Sequence, residues 1–294
     1  MSVRIGANPI GWSNDDMPEL GGETPLETCL AEAAAAGFEG MELGNKFPRE
    51  PEALRAALSG HGLSLVSGWY SGNLLDRDDK AEMEALRPHL DLLKALGSDV
   101  LVFAETTGCI HGDRATPLSE RPTLDAGQWR EFGARMTRLA DATKAEGVRL
   151  AYHHHMGTVV ESAADIDALM EATGPSVALL LDSGHATFAG IDPAALARRY
   201  RGRIAHVHTK DVRPAVMARA KAEGWSFLDA VIEGVFTVPG DGGIDFPAMF
   251  AELRGYEGWV VVEAEQDPAK AHPATYARLG FGNLERYLKE AGLR

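Results

Sequence analysis

Cysteine is nearly absent: Cys29 and Cys109 are the two thiols in 294 residues. Two cannot build a disulfide framework or a thiolate metal site, and they suit a reducing compartment. Long apolar runs are missing as well. No stretch approaches the roughly 18 apolar residues of a membrane span. MSVRIGANPIGWS has no basic region ahead of an apolar run, so no secretory leader is expected and the cytoplasm is the expected location. Basic charge is in deficit: 29 Lys+Arg against 43 Asp+Glu leave a net charge of −14. Such a chain repels phosphate backbones and anionic lipid, so nucleic acid and membrane are not expected partners. No Pro/Gly/Ser-rich linker divides the chain, and GANPIG (6–11) is not the G-x-G-x-x-G turn that opens a dinucleotide fold.

What is present is a rhythm of short apolar runs: VRIGA (3–7), FEGMEL (38–43), LSLVSG (63–68), DVLVFA (99–104), VRLAYH (148–153), VALLLD (177–182), RIAHVH (203–208) and WVVVEA (259–264). Several lack polar alternation, as strands covered on both faces do. Helical spacing fills the gaps, notably over 80–96 (where Pro88 threatens a kink) and 127–146. Thr24-Pro25-Leu26-Glu27 reads as a capping box with proline at the first helical position, and Ser162 with Asp165 reads as a second box. Asp192-Pro193 and Asp245-Phe246-Pro247 open two more helices. Gly37, Gly62, Gly97, Gly147, Gly174, Gly202 and Gly258 each precede a run, as helix-stopping residues would. The expectation is one α/β domain over 1–294, a single (β/α)8 barrel, with an open doubly wound sheet as the alternative.

Chemistry in such barrels sits at the carboxyl ends of the strands. There the sequence places Glu42, Glu105, His153-His154-His155, Asp182 with His185, His206 with His208, Lys210 and Asp211, and Glu263 with Glu265. A period of two puts His153 and His155 on one face, His206 and His208 on one face, and Glu263 and Glu265 on one face. Two imidazoles and two carboxylates from consecutive strands form a donor set suited to Mn²⁺, Co²⁺ or Zn²⁺. His154 is expected to point away, and His61, His89, His111 and His272 to lie at the surface. Cys109 reads as a buried free thiol. Trp12 and Trp69 read equally well as pocket walls or core. VPGDGGID (238–245) reads as a turn or as backbone approaching a ligand, but not as a phosphate loop.

These clusters resemble the xylose-isomerase-like barrel superfamily of sugar isomerases, epimerases and the AP endonuclease IV group. The superfamily pattern falls here on His153, Asp182/His185, His206/His208/Asp211 and Glu263. NPIGWSNDDMPELG (8–21), AYHHHMGT (151–158), HVHTKDVR (206–213), FTVPGDG (236–242) and WVVVEAEQDP (259–268) are similar, almost end to end, to the inosose dehydratases of myo-inositol catabolism. The resemblance implies a cytoplasmic hydro-lyase acting on a small cyclitol ketone, 2-keto-myo-inositol. It also implies a Mn²⁺ or Co²⁺ requirement and glutathione as an accessory cofactor. On it, His153, Asp182, His208 and Glu263 are the expected metal ligands, although the superfamily usually has glutamate at the place of His153. Glu265 (or Glu263) is the expected base, and His185 or Lys210 the acid. Trp12, Glu42, Trp69, His155 and Arg213 are the expected substrate contacts. A sugar or cyclitol isomerase is the nearest alternative; an AP endonuclease is disfavoured by the acidic charge, and a catalytically dead barrel by the presence of Asp182, His208 and Glu263. The sequence leaves oligomeric state open, a homo-oligomer included.

Overall fold

The computed structural model describes residues 3–294. Each of the eight apolar runs forms a strand, and together they close a parallel barrel. The barrel strands are β1 (Arg4–Ala7), β2 (Gly40–Leu43), β3 (Ser64–Gly72), β4 (Val100–Glu105), β5 (Arg149–His153), β6 (Ala178–Asp182), β7 (Ile204–Thr209) and β10 (Trp259–Val262). They join in the order β1-β10-β7-β6-β5-β4-β3-β2, so the open-sheet alternative is excluded. Two further strands, β8 (Asp211–Val212) and β9 (Phe236–Thr237), pair antiparallel outside the barrel.

Alternation along the strands separates the two faces. Ile5, Met41, Leu101, Phe103, Leu150, Tyr152, Leu179, Leu181, Val260 and Val262 face the surrounding helices and belong to the largest buried cluster. The barrel interior is filled by Val100, Val102, Ala151, Leu180 and Ala205 in one cluster and Val66, Trp259 and Val261 in another. Gly6 and Gly40 admit the Val66 methyl, which a Cβ at either position would meet at 2.9 or 2.8 Å. Two residues further along the same inward face come Asn8, Glu42, His153, Asp182 and Glu263. The period that packs the barrel thus delivers the polar layer above it. In β7 the register skips Ala205, with Leu179 opposite Ile204 and Leu180 opposite His206. This bulge turns both His206 and His208 inward.

The helices follow the local signals with one exception. Asp79–Ala95 runs unbroken through Pro88, whose ring lies on the exposed side. Asp125 and Gln128 cap Ala126–Ala145, and Ser162 and Asp165 cap Ala163–Ala172, each as a reciprocal box. Asp192 and Asp245 cap their helices through side-chain oxygens. Thr24 does not cap: Leu26–Ala36 has Pro25 itself at the cap position, with no side-chain bond. Five of the seven junction glycines take positive φ; Gly174 and Gly202 do not.

Between β7 and β10 the chain makes a long excursion carrying β8, β9 and the helices Pro214–Glu223, Phe227–Ile232 and Phe246–Glu252. Its apolar residues Val212, Phe227, Val231 and Phe236 pack with Met17, Met156 and Phe188 into a second buried cluster. No helix among the described residues is long and apolar enough to cross a membrane.

Candidate active site

The strand-end layer forms a connected polar network. Glu42 lies at its base, fully engaged: Oε1 accepts from Ser67 Oγ (2.7 Å) and lies against His206 Nε2 (2.8 Å) and His208 Nε2 (3.1 Å), while Oε2 accepts from Asn8 Nδ2 (2.8 Å). Burial alone would raise the Glu42 carboxyl, but the His208 and His206 imidazoles hold it below the usual carboxylate range. Asn8 also donates to Glu263 Oε1 (3.1 Å), linking the base of the network to the next acid.

Above Glu42, the four sequence-predicted ligands come close to one another. His153 Nε2 lies 3.6 Å from Asp182 Oδ2, and His208 Nδ1 lies 3.6 Å from the same oxygen and 3.0 Å from Glu263 Oε2. Donor atoms of His153, Asp182, His185 and Glu263 all fall within 4.8 Å of one another, a spacing compatible with one ion. His208 groups instead with Glu42 and His206, although its Nδ1 edge faces Glu263. The structure therefore brings together three of the four expected ligands, adds His185, and leaves His208 one hydrogen bond away.

Asp182 Oδ2 is buried and has no hydrogen-bond partner among the described residues, whereas Oδ1 accepts from His185 N (2.8 Å). The nitrogen neighbours of Oδ2, His153 and His208 at 3.6 Å and Lys210 at 3.8 Å, stop short of hydrogen-bonding distance, so a cation among them would complete the oxygen's coordination. The donor chemistry, imidazole plus carboxylate, fits a borderline divalent ion. His153 Nδ1 meets the His154 carbonyl oxygen at 2.8 Å. A carbonyl only accepts, so Nδ1 carries the hydrogen and Nε2 of the neutral ring keeps a lone pair for a ligand. Burial, with His208 adding to it, pushes His153 down to about 3 and keeps the ring neutral.

Lys210 is buried beside this cluster. Its Nζ contacts Glu265 Oε1, lies 2.9 Å from Glu263 Oε2, 3.0 Å from His185 Nε2 and 3.8 Å from Asp182 Oδ2. Burial opposes its charge, but Glu263, Glu265 and Asp182 overcome this and raise it. Burial pushes Glu265 up to about 8, against the pull of Lys210. Its Oε2 is buried with no partner among the described residues.

A cleft with about 840 Å³ of empty space opens above the layer. His153, His155, Glu263 and Glu265 line its floor; Trp69, Asp15, Asp16, Arg49 and His111 are among those lining its outer walls. Trp69 and His155 thus stand where substrate contacts were expected. Three other expected contacts do not. Trp12 turns away and donates Nε1 to Glu32 Oε2 (2.8 Å), beside Phe38 and Tyr276. Glu42 has its acceptor positions filled from below. Arg213 clamps the excursion, donating to the Gly234 carbonyl (2.8 Å), Thr237 Oγ1 (3.0 Å) and Asp241 Oδ2 (2.7 Å). His185 and Lys210, the expected acids, are buried behind the wall; the His185 ring lies against that of His155, tilted by 43° with ring centroids 3.8 Å apart.

Other sequence expectations also resolve. His154 points away, with Nε2 toward Asp182 N (3.4 Å). Glu105 accepts from Leu74 N (2.7 Å) and Thr107 N (3.1 Å) and holds loops, not substrate. Cys109 is half-buried. The GDGG backbone does approach an anion, but an internal one: Asp211 accepts from Gly240 N, Gly242 N, Ile244 N and Val212 N at 2.8–3.0 Å. His111, expected at the surface, lines the cleft, as do Asp15, Asp16 and Asn45. These lie on loops without periodicity; the sequence signal that marks Asp15 and Asp16 is the string NDDMPELG, which the family resemblance includes, and none of the strings that carry that resemblance contains Asn45 or His111.

The family model for the xylose isomerase-like TIM barrel matches residues 30–287. The chain belongs to that family. It is 52% identical over 296 residues to the rhizopine catabolism protein MocC of Rhizobium meliloti, covering 100% of this chain and 91% of that protein. It is 47% identical over 279 residues to the inosose dehydratase of Geobacillus thermodenitrificans, covering 94% of each. Among solved structures, the probable 3-DHS dehydratase AsbF from Bacillus anthracis superposes with a TM-score of 0.70 at 14% identity, over 96% of this chain and 99% of that one, a likeness of fold alone.

Proposed function

We propose that the protein is a metal-dependent hydro-lyase of inositol catabolism that removes water from 2-keto-myo-inositol, giving a trihydroxycyclohexane-1,2-dione. The observation that carries the reading is the near-full-length likeness to an inosose dehydratase. The buried imidazole and carboxylate cluster under an open cleft supports it. His153, Asp182, His208 and Glu263 would hold the ion, with Mn²⁺ or Co²⁺ as the metal and glutathione as an accessory. When bound, the ion supplies Lewis-acid stabilisation of the negative charge that grows on the ketone oxygen.

The chain's own residues do the rest. Glu265 lines the cleft, and Lys210 holds its Oε1, leaving Oε2 without a partner among the described residues. Burial raises the proton affinity of the Glu265 carboxylate while Lys210 favours its ionised form, so Glu265 is suited to take the proton alpha to the ketone. Lys210 and His185 position this carboxylate from behind. Trp69 and His155 offer flat apolar surface to the C–H faces of a cyclitol, and the polar walls meet its hydroxyls.

Mixing the protein with Mn²⁺ and 2-keto-myo-inositol tests this: elimination builds an ultraviolet-absorbing dione, whereas isomerisation leaves the solution transparent there. Assays with and without glutathione, and with Co²⁺ in place of Mn²⁺, resolve the cofactors. The 52% likeness to the MocC protein favours a second reading, a step on a rhizopine-derived substrate, and the same assay with such a ketone separates the two.

A further inference from the structure

Elimination of water needs an acid for the departing hydroxyl as well as a base, and the structure withdraws His185 and Lys210 from the cleft wall. The remaining wall groups can be sorted by their hydrogen bonds. His153 and His155 spend Nδ1–H on the carbonyl oxygens of His154 and Met156, each at 2.8 Å, so each Nε2 is an acceptor in the neutral ring. Asp15 accepts from Asn45 N at 3.0 Å, and Arg49 donates to the Gly44 carbonyl at 3.0 Å. Asp16 and His111 are different. The Asp16 carboxylate accepts no hydrogen bond among the described residues; His111 Nε2 lies 3.9 Å from its Oδ1, and His111 Nδ1 is buried without a partner.

Both residues are held in place by their loops. Asn14 Oδ1 accepts from Asp16 N (2.8 Å) and Met17 N (2.9 Å), and the buried Met17 side chain anchors the turn. Ile110 N donates to the Gly157 carbonyl (2.9 Å). Gly157 has φ +77°, and a Cβ there would stand 3.0 Å from His111 N, so glycine is what lets the His111 loop pack this close. The His111 ring then meets His155 edge-on, with centroids 5.1 Å apart.

We infer that Asp16 and His111 form the proton-donating pair for the departing hydroxyl, with His111 as donor through Nε2 and Asp16 as the acid that faces the same nitrogen across 3.9 Å. This rests on the dehydratase reading. Glu265 takes the alpha C–H proton, and that electron pair passes into the enolate. As the enolate collapses to the new C=C bond, the beta C–O bond breaks, and its oxygen takes the His111 proton and leaves as water. His111 ends neutral and Glu265 protonated; both reset by exchange with solvent through the open cleft.

The experiment compares wild type, His111→Gln and Asp16→Asn with Mn²⁺ and 2-keto-myo-inositol in D₂O. NMR reads alpha-deuterium exchange, absorbance reads dehydration, and metal content serves as the check on folding. For His111→Gln the pair predicts retained exchange and metal, KM within a few-fold, and dehydration kcat down about 10²-fold or more. An analogue with fluoride at the departing position restores turnover, because fluoride leaves without a proton. Asp16→Asn moves the same way by a smaller factor. Dehydration by His111→Gln at wild-type kcat overturns the assignment. So does parallel loss of exchange and dehydration, which makes the pair a binding or structural element. A wild type that neither exchanges nor dehydrates overturns the dehydratase reading itself, and the pair with it.

Discussion

Asp182 divides two tasks between two oxygens. Oδ1 caps the helix Ser183–Phe188, and Oδ2 makes no hydrogen bond and faces the nitrogens of His153, His208 and Lys210. Asn at this position still caps, because its amide oxygen accepts the same N–H. Asp182→Asn is therefore expected to fold with little change in melting temperature while Mn²⁺ affinity, measured by calorimetry, falls about 100-fold or more. Glu265→Gln separates base from ligand: kcat is expected to drop about 10²–10⁴-fold with full metal content. Retained turnover in that variant removes Glu265 as the base. The residues legible in the sequence were those governed by a period of two from a buried strand, such as His153, Asp182 and Glu263. Asp16 and His111 sit on loops whose conformation is set by Asn14, Met17 and Gly157, and no local pattern announces such contacts.

At the scale of elements, the strand and helix order was legible because each run is bounded by a helix stop and covered on both faces. The excursion between β7 and β10 was not: β8 and β9 have two residues each, too short for periodicity, and their pairing is organised by a side chain. The buried Asp211 carboxylate gathers four backbone N–H groups from both arms of that excursion. Asp211→Asn replaces a charged acceptor by a weaker one and turns an amide N–H₂ toward donors. It is expected to cost about 1.5–3 kcal/mol in urea unfolding. An unchanged midpoint would show that the hairpin is held by its apolar face alone.

Across the whole molecule, buried neutral histidines couple stability to acid. His89 packs its ring against Tyr70 and places Nε2 3.2 Å from the Gly68 carbonyl; burial pushes it down to about 4 from 6.5. Because the folded value is depressed, the unfolded chain takes the proton first. The stabilisation is complete above pH 6.5 and is lost as pH falls toward 4. Each such histidine steepens the loss by up to about 1.4 kcal/mol per pH unit in that window. His89→Gln is expected to flatten the fall in urea midpoint between pH 6.5 and 4.5; parallel curves for the two proteins contradict it.

The central claim is that strands far apart in the chain deliver one cation site to the floor of one cleft. Crystals soaked in Mn²⁺ and measured at its absorption edge test this directly. The account predicts an anomalous peak bonded to His153 Nε2, Asp182 Oδ2, His208 Nδ1 and a Glu263 oxygen. A peak held instead by Glu42, His206 and His208, or none at saturating Mn²⁺, would contradict it.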